Sequence, residues 1–308
     1  MTAPQVDDRD WSVLTLGDRI LQIEVEGYLV LPDLLTAEDV RRLKAQTATL
    51  QAGCHVVSER PACVRTRDFE HLVEVAKKKR RHLTLVFANR LLPQVQKARE
   101  LIQSGFVGDF YGTEIHTIAD QTRLKSPEYQ NSWYASKEKA GGGHLTWLGV
   151  HYLDLIRFIT GLRIQQVCGF VGNVGGQPIE VEDSAVLSLR FENGTLGTMQ
   201  PAYYLERGYH GQILIWGSLG WLKLSAGGTF ESDLEWFPNH EEAPEGLQTL
   251  PFTPESKSTA GVEALMQAAV NMASGLAPPM TAAECLHILK LVSGLYASAR
   301  DGVTITVG

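Results

Sequence analysis

Apolar positions recur at helical spacing early in the chain and at strand spacing beyond residue 110. Leu16, Ile20 and Ile23 mark one side of a helix that Gly27 breaks. Tyr28 to Leu31 is a short extended run ended by Pro32. Thr36 then caps a second helix, with Asp39 three residues on as a weak form of the capping box. Val40, Leu43 and Leu50 lie on its apolar side. Cys54 to Ser58 reads as a β run and 67–80 as a helix carrying Phe69, Leu72 and Val73 on one face. Leu83 to Ala88 reads as a buried strand. That order predicts a strand–helix–strand unit, parallel and right-handed. Gln94 to Ser104 adds an amphipathic helix closed by Gly105.

Beyond residue 110 the period shortens to two. Strands are predicted at Tyr111–Ala119, Gln165–Gly172, Ala185–Phe191, Thr195–Tyr204 and Gln212–Ser225. Glu192-Asn-Gly194 is a hairpin turn signal between two of them. A helix over 144–160 interrupts the strands early. Helices at about 261–275 and 281–299, punctuated by Pro278 and Pro279, precede a last strand at Thr304–Val307. Residues 237–260 read as a polar loop containing prolines. The fold class is therefore α/β followed by α+β, a parallel unit and then a predominantly antiparallel open sheet with helices on one face. The pattern divides the chain at 1–50, 51–110 and 111–308.

Composition narrows the function classes. The 308 residues are 44% hydrophobic and 20% charged, which suits a soluble globular protein. The net charge of −7 argues against a nucleic-acid partner or an anionic membrane surface. The basic run Lys77 to Arg81 reads as a solvated helix end whose cations complement the dipole. No apolar run approaches membrane-spanning length. Cys54, Cys63, Cys168 and Cys285 form no C-x-x-C pair, and Thr2 to Asp10 is polar, not a signal peptide. Reduced thiols in a cytoplasmic protein are expected.

Candidate chemistry concentrates at Gly141-Gly-Gly-His-Leu-Thr-Trp-Leu-Gly-Val-His151, which runs into the helix Tyr152–Thr160. A triple glycine lets backbone approach a ligand closely and opens a helix. His151, fixed on a rigid element beside that entry, can transfer a proton, or it can be a helix histidine satisfied by a neighbour. His144 lies seven residues before it, roughly on the same face. No carboxylate or cysteine is spaced to complete a metal site with the two, so no metal is expected. Asp154, three residues after His151, can orient the ring, face solvent or cap. Glu59 and Arg60 follow a strand end, where α/β sites bind ligand; an ion pair is their plainer reading. Asn89 can contact a cofactor ribose or cap the next helix. Tyr203, Tyr204 and Tyr209 read as core or interface.

From about residue 53 these motifs resemble, in order, the glucose–fructose oxidoreductase / inositol dehydrogenase / rhizopine-catabolism (Gfo/Idh/MocA) family. Ala52-Gly-Cys-His-Val-Val-Ser-Glu-Arg-Pro61 resembles the family's "AGKHVxxEKP", with Glu59 and Pro61 matching. Phe87-Ala-Asn-Arg90 resembles "FNRR", and Gly141 to Asp154 resembles "GGGxxxDxGxHxxD". Pro278-Pro-Met-Thr to Val307 resembles the closing helix and strand. The resemblance implies hydride transfer between NAD or NADP and a sugar or polyol, in a homo-oligomer. His151 and Arg60 would be catalytic. Trp147, Asp154 and His144 would bind substrate, and Glu59, Arg60, Pro61 and Asn89 would bind cofactor. It also implies that 51–110 is a remnant of a Rossmann domain and 111–308 the substrate and oligomerisation domain, whose last helix packs back on the remnant.

Three departures bear on chemistry. Arg60 stands where the family has Lys, and a guanidinium does not exchange protons near neutral pH. Trp147 stands where the family has Asp, leaving an indole N–H and a stacking face. The sequence contains no G-x-G-x-x-G turn to seat a pyrophosphate. In its place Glu26 to Val40 resembles the opening of phytanoyl-CoA dioxygenase-like proteins. Fe(II) oxygenation needs a His-x-Asp/Glu pair and a distant His. The only His-x-Glu is His240-Glu-Glu242 in a loop, and His287 lies on a predicted helix, so iron is not expected. Two functions follow as expectations: an oxidoreductase of the family, or a non-catalytic sugar-binding or oligomerising relative.

Overall fold

The computed structural model describes residues 46–58, 63–225, 233–238, 246–251 and 260–308. The helix and strand expected before residue 46, with the dioxygenase-like opening, lie outside them. A short helix, α1 (Gln46–Gln51), leads to β1 (Val56–Ser58). Helix α2 (Thr66–Lys79) buries Phe69, Leu72 and Ala76, spaced three and four apart. Lys77, Lys78 and Lys79 occupy its exposed last turn, where cations complement the dipole. Arg80, at φ 53°, ends it in the left-handed region. β2 (Leu83–Leu85) returns parallel to β1, Val56 opposite Leu83, as the sequence predicts. A 3₁₀ turn, Ala88–Leu91, follows, and then α3 (Pro93–Gln103) with proline in its first turn.

Nine strands form the second sheet: β3 (Phe110–Asp120), β4 (Ile164–Gly172), β5 (Ser184–Phe191), β6 (Leu196–Leu205), β7 (His210–Gly217), β8 (Gly220–Ser225), β9 (Leu234–Pro238), β10 (Gln248–Leu250) and β11 (Ile305–Thr306). Their order is β10-β9-β8-β7-β3-β6-β5-β4-β11. Only β3 and β6 pair in parallel; every other neighbour is antiparallel. The β5–β6 hairpin turns at Glu192–Gly194, with Gly194 at φ 89°.

Two sequence expectations need correction. Gln212–Ser225 is two strands, β7 and β8, reversing at Ser218-Leu219. Apolar alternation continues on both sides of a turn that itself contains Leu219, so the period hides the reversal. Tight flanking glycines make the turn: a Cβ on Gly217 would sit 2.2 Å from the Val107 carbonyl oxygen, and one on Gly220 2.3 Å from that of Phe237. The polar loop of 237–260 contains β10, three residues paired to β9, with Leu250 packed against the core.

Helices α4 (Val150–Thr160), α5 (Ala260–Ala273) and α6 (Ala282–Asp301) are the remaining long helices among the described residues, and short helical turns fill 122–140. The inner sheet face buries Ile115, Leu187, Met199, Ile213 and Leu222 against Leu153 and Ile156 of α4 and Leu291 and Leu295 of α6. The core is continuous from Leu50 to Val307. Helix α6 also packs on α2 and β2, tying the parallel unit to the large sheet. A full capping box at Thr281 and Glu284 starts it. The outer sheet face leaves Phe170, Val186, Leu196 and Trp216 exposed. No helix among the described residues is long and apolar enough to cross a membrane.

Candidate functional site

Gly141 sits at φ 78°, closing the turn before the site helix. A Cβ on Gly142 would meet the Tyr296 hydroxyl at 1.9 Å, and one on Gly143 the Glu182 carbonyl oxygen at 1.8 Å. The close approach expected of a triple glycine is thus made to protein atoms. Glu182 is its receptor. Its buried carboxylate accepts from the Gly143 N–H (2.7 Å), the Leu145 N–H (3.0 Å) and the Tyr296 hydroxyl (2.8 Å). Burial pushes this carboxyl above the ordinary range, and the three donors pull against that. An anion at the first free N–H groups of a helix satisfies donors that nothing else would reach.

Five residues of π-helix, Leu145–Gly149, lead into α4. Wider winding of this kind inside a helix often accompanies a functional site. His144 and Trp147 stand at this entry. His144 is fully buried, edge-on to Tyr203 with ring centroids 4.5 Å apart. Neither of its nitrogens has a protein hydrogen-bond partner. Burial, then the charge of Arg123, holds its pKa down to about 3, so the ring is neutral. Trp147 packs edge-on against Trp133 (5.1 Å) and Tyr134 (4.6 Å), and its buried indole N–H also lacks a protein acceptor.

These two residues close an arc of rings. Tyr134 stacks on Tyr129 at 6.2 Å. Arg123 lies 5.2 Å from the Tyr129 ring and 5.1 Å from that of Tyr203, and donates to the Tyr203 hydroxyl at 2.5 Å. Tyr203 returns to His144. The arc therefore runs Trp147, Tyr134, Tyr129, Arg123, Tyr203, His144. Burial keeps the Tyr129 and Tyr203 phenols protonated, with Tyr203 pushed beyond its usual value and Tyr129 raised also. Arg123 keeps solvent contact at the mouth of the arc.

One turn beyond Trp147, the half-buried His151 ring meets Phe87 edge-on at 5.4 Å. Phe87 stands just past the carboxyl end of β2, so His151 faces the strand end of the parallel unit. There the Val86 N–H bonds the Ser58 carbonyl, joining the ends of β1 and β2. Glu59, Arg60 and Pro61, which follow Ser58, lie outside the described residues. Asn89 is half-buried in the 3₁₀ turn. It does not cap α3 with its side chain: Leu92 is the cap, and its N–H bonds the Asn89 carbonyl.

Asp154 neither faces solvent nor caps. It is 1% exposed and holds Arg90 through both oxygens, at 2.5 and 2.8 Å. Arg90 also donates to the Pro279 carbonyl and to Glu284. Asp154 thus fixes the turn that bears Asn89 and stands behind the site wall. Tyr203 is core and wall at once, while Tyr204 and Tyr209 are partly exposed. Among the described residues no group of three or more His, Cys, Asp or Glu is placed to hold a metal. His287 is buried on α6, and His240 and Glu242 lie outside the described residues.

Sequence reasoning missed Arg123, Tyr129, Tyr134 and Glu182 as site-builders. A signal existed for Arg123. It follows Asp120-Gln-Thr122, whose carboxylate bonds the Thr122 N–H and hydroxyl, a local turn that ends β3 and aims the next side chain. Glu182 had none, because it meets the glycines only through the fold.

The class so defined is a parallel α/β unit joined to a broad, mostly antiparallel sheet, with a helix-borne histidine facing the parallel strand ends. Residues 95–223 match the family model of the GFO/IDH/MocA C-terminal domain. It is 26% identical over 171 residues to D-glucoside 3-dehydrogenase of Escherichia coli, covering 51% of this chain and 47% of that one. It is 27% identical over 177 residues to levoglucosan dehydrogenase of Pseudarthrobacter phenanthrenivorans, covering 50% and 44%. The chain thus spans about half the length of these curated relatives. Among solved structures, an oxidoreductase domain protein from Kribbella flavida superposes with a TM-score of 0.76 at 23% identity, over 85% of this chain and 76% of that one. Levoglucosan dehydrogenase in complex with NADH gives 0.75 at 18%, with the same coverage. These likenesses establish the fold.

Proposed function

We propose that this chain is a sugar or polyol oxidoreductase using NAD or NADP, with its substrate in the aromatic arc beside His151. The carrying observation is the pair of buried residues, His144 and Trp147, that offer unspent hydrogen-bonding atoms within a wall of rings. An apolar ligand would leave those atoms unsatisfied, at a cost of about 1–3 kcal/mol each. A polyhydroxylated ring matches them, since its hydroxyls donate and accept while its C–H face stacks on aromatic side chains. Neutral His144 offers one donor and one acceptor, and Trp147 one donor. Arg123 and the Tyr129 and Tyr203 phenols add donors at the far side.

His151 takes the proton of the reacting hydroxyl in the oxidative direction and returns it in reduction. It lies where substrate and the strand ends meet. Trp147, in place of an acidic residue, adds binding contact without adding a second proton carrier. The nicotinamide accepts or supplies the hydride when bound. The described residues fit its nicotinamide end, at Phe87 and Asn89 beside the β1–β2 ends. The named relatives are dehydrogenases of a glucoside, levoglucosan and, at 27% identity, myo-inositol, which supports a sugar-type substrate. We assign 51–110 to the cofactor side, 111–308 to substrate binding and assembly, and 1–50 to an appended segment. The exposed Phe170, Val186, Leu196 and Trp216 of the outer sheet face fit a homo-oligomer contact.

The test is a panel of sugars and polyols with NAD⁺ and NADP⁺, followed by reduced-nicotinamide absorbance. Turnover that His151→Ala removes supports the reading. A second reading, sugar binding without catalysis, is favoured by one observation, the absence of a G-x-G-x-x-G turn from the sequence. Sugar binding without cofactor binding would select it.

A further inference from the structure

Arg123 is the cation of the aromatic arc. It stands between the Tyr129 and Tyr203 rings, 5.2 and 5.1 Å from their centres, and stays open to solvent. It donates to the Tyr203 hydroxyl and bonds Tyr129. The groups facing its charge are the phenols of Tyr203, Tyr129 and Tyr209. Burial keeps the first two protonated, so they offer ring faces and dipoles but no countercharge. Among the described residues no carboxylate forms an ion pair with Arg123. The neighbouring Lys125 differs, its ammonium being taken by Glu206 at 2.8 Å. Glu182, whose charge reaches both phenols, is occupied by the Gly143 and Leu145 N–H groups and the Tyr296 hydroxyl.

The charge is felt across the arc. One ring, that of Tyr203, separates Arg123 from His144. After burial, the charge of Arg123 is what holds the His144 ring neutral. The arc thus has a cation on one side and, on the other, the uncharged hydrogen-bonding atoms of His144 and Trp147. A guanidinium carries five N–H donors in a planar fork, and the two phenols use only part of it. The remaining donors match the two oxygens of a carboxylate. A sugar hydroxyl can accept from the same fork, but a neutral bond is worth about half of a charge-assisted one. A phosphate monoester would bring about two charges to a wall that offers one.

We propose, on the reading that the arc is the substrate site, that the substrate is a sugar acid, with its carboxylate on Arg123 and its hydroxyls on His144 and Trp147. Arg123 is then a specificity residue that favours uronate- or aldonate-type sugars over their neutral counterparts. Tyr129 and Tyr203 hold its fork in place.

Calorimetric titration of the full chain, with and without NAD⁺, tests this. The probes are D-glucuronate, D-galacturonate and D-gluconate, each against the amide that replaces its carboxylate and keeps every hydroxyl. At least one acid is expected to bind about tenfold or more tightly than its amide, the worth of one charge-assisted bond. That comparison needs no variant. Added sodium chloride should weaken the acid and leave its amide alone. Arg123→Met should bring acid and amide to the same affinity, and Arg123→Lys should keep part of the difference. Were Arg123 merely structural, Arg123→Met would weaken both ligands alike and preserve their ratio, which would overturn the proposal. Amides that bind the wild-type chain as well as their acids would overturn it too, and leave the arc as a neutral-sugar site. So would tighter binding of glucose 6-phosphate than of any acid, which would put a phosphate in place of the carboxylate. No binding of acid, amide or phosphate would instead remove the arc as a sugar site, and the proposal with it.

Discussion

Arg90 and Asp154 form a two-pronged ion pair between the 3₁₀ turn after β2 and the helix that carries His151, with side chains 4% and 1% exposed. The same guanidinium reaches Glu284 at the start of α6. One residue thus fixes three elements that meet behind the site. Arg90→Met strands a buried carboxylate and should cost about 3–5 kcal/mol in urea unfolding. Arg90→Met with Asp154→Leu removes both charges and should recover most of that loss. A double variant as unstable as the single one would contradict the account.

The glycine entry gives a sharper contrast. In Gly143→Ala the new methyl meets the Glu182 carbonyl oxygen, part of a rigid backbone. A loss of about 3 kcal/mol is expected, at the upper end of ordinary overpacking. Gly172→Ala, with open space around it, should stay within about 0.5 kcal/mol of wild type. Equal effects would show that the triple glycine serves something other than this contact.

Stability should fall in mild acid. His144 and His287 are held neutral in the folded protein, with pKa values down to about 3 and about 4. Both protonate near 6.5 when the chain unfolds. The unfolded state therefore binds up to two more protons below pH 6.5, and stability declines as pH drops from there towards 4. His144→Phe should lower the slope by about one proton between pH 6 and 4.5, measured from unfolding midpoints across pH. An unchanged slope would mean that His144 titrates alike in both states.

At the site, His151→Ala should lower kcat by about 10²–10⁴ with little change in substrate affinity. Trp147→Phe keeps an aromatic face but loses the indole N–H and part of the ring, so it should weaken substrate by about tenfold or more, at least the equivalent of one hydrogen bond. Steady-state kinetics on the substrate found in the panel separates the two. A kcat loss in both variants alike would deny Trp147 a binding role.

Much of the fold was legible because burial imposes a period. Leu187, Leu189 and Phe191 alternate along β5 and were readable as a strand. Phe69, Leu72 and Ala76 were readable as a helix face. The β7–β8 reversal was not, because its turn carries an apolar residue and no Asn-Gly or Asp-Gly signal. The site divides the same way. His151 and Trp147 lie in one contiguous motif. Arg123, Tyr129 and Glu182 are distant in sequence and meet that motif through sheet pairing, which no local pattern reports. Asp154 was singled out, but its partner Arg90 is 64 residues away, so whether it faced solvent or the interior was not decided by sequence.

The outer sheet face offers a further check. Phe170 is 78% exposed, and Leu196 and Trp216 share its side of the sheet. Phe170 with Val186, and Leu196 with Trp216, form two apolar spots on this face, separated by Ser188, Thr198 and Glu114. If copies of the chain pair there, Phe170→Glu with Trp216→Glu should halve the mass seen in sedimentation at micromolar concentration. An unchanged mass would place the contact elsewhere.

The most direct test of the dehydrogenase reading is a titration of the 308-residue chain with NADH and NADPH, followed by nicotinamide fluorescence. Saturable binding with Kd on the order of 10–100 µM, the usual working range of such sites, is the result predicted. No binding up to millimolar cofactor would contradict hydride transfer by this chain and leave the aromatic arc as a sugar-binding site alone.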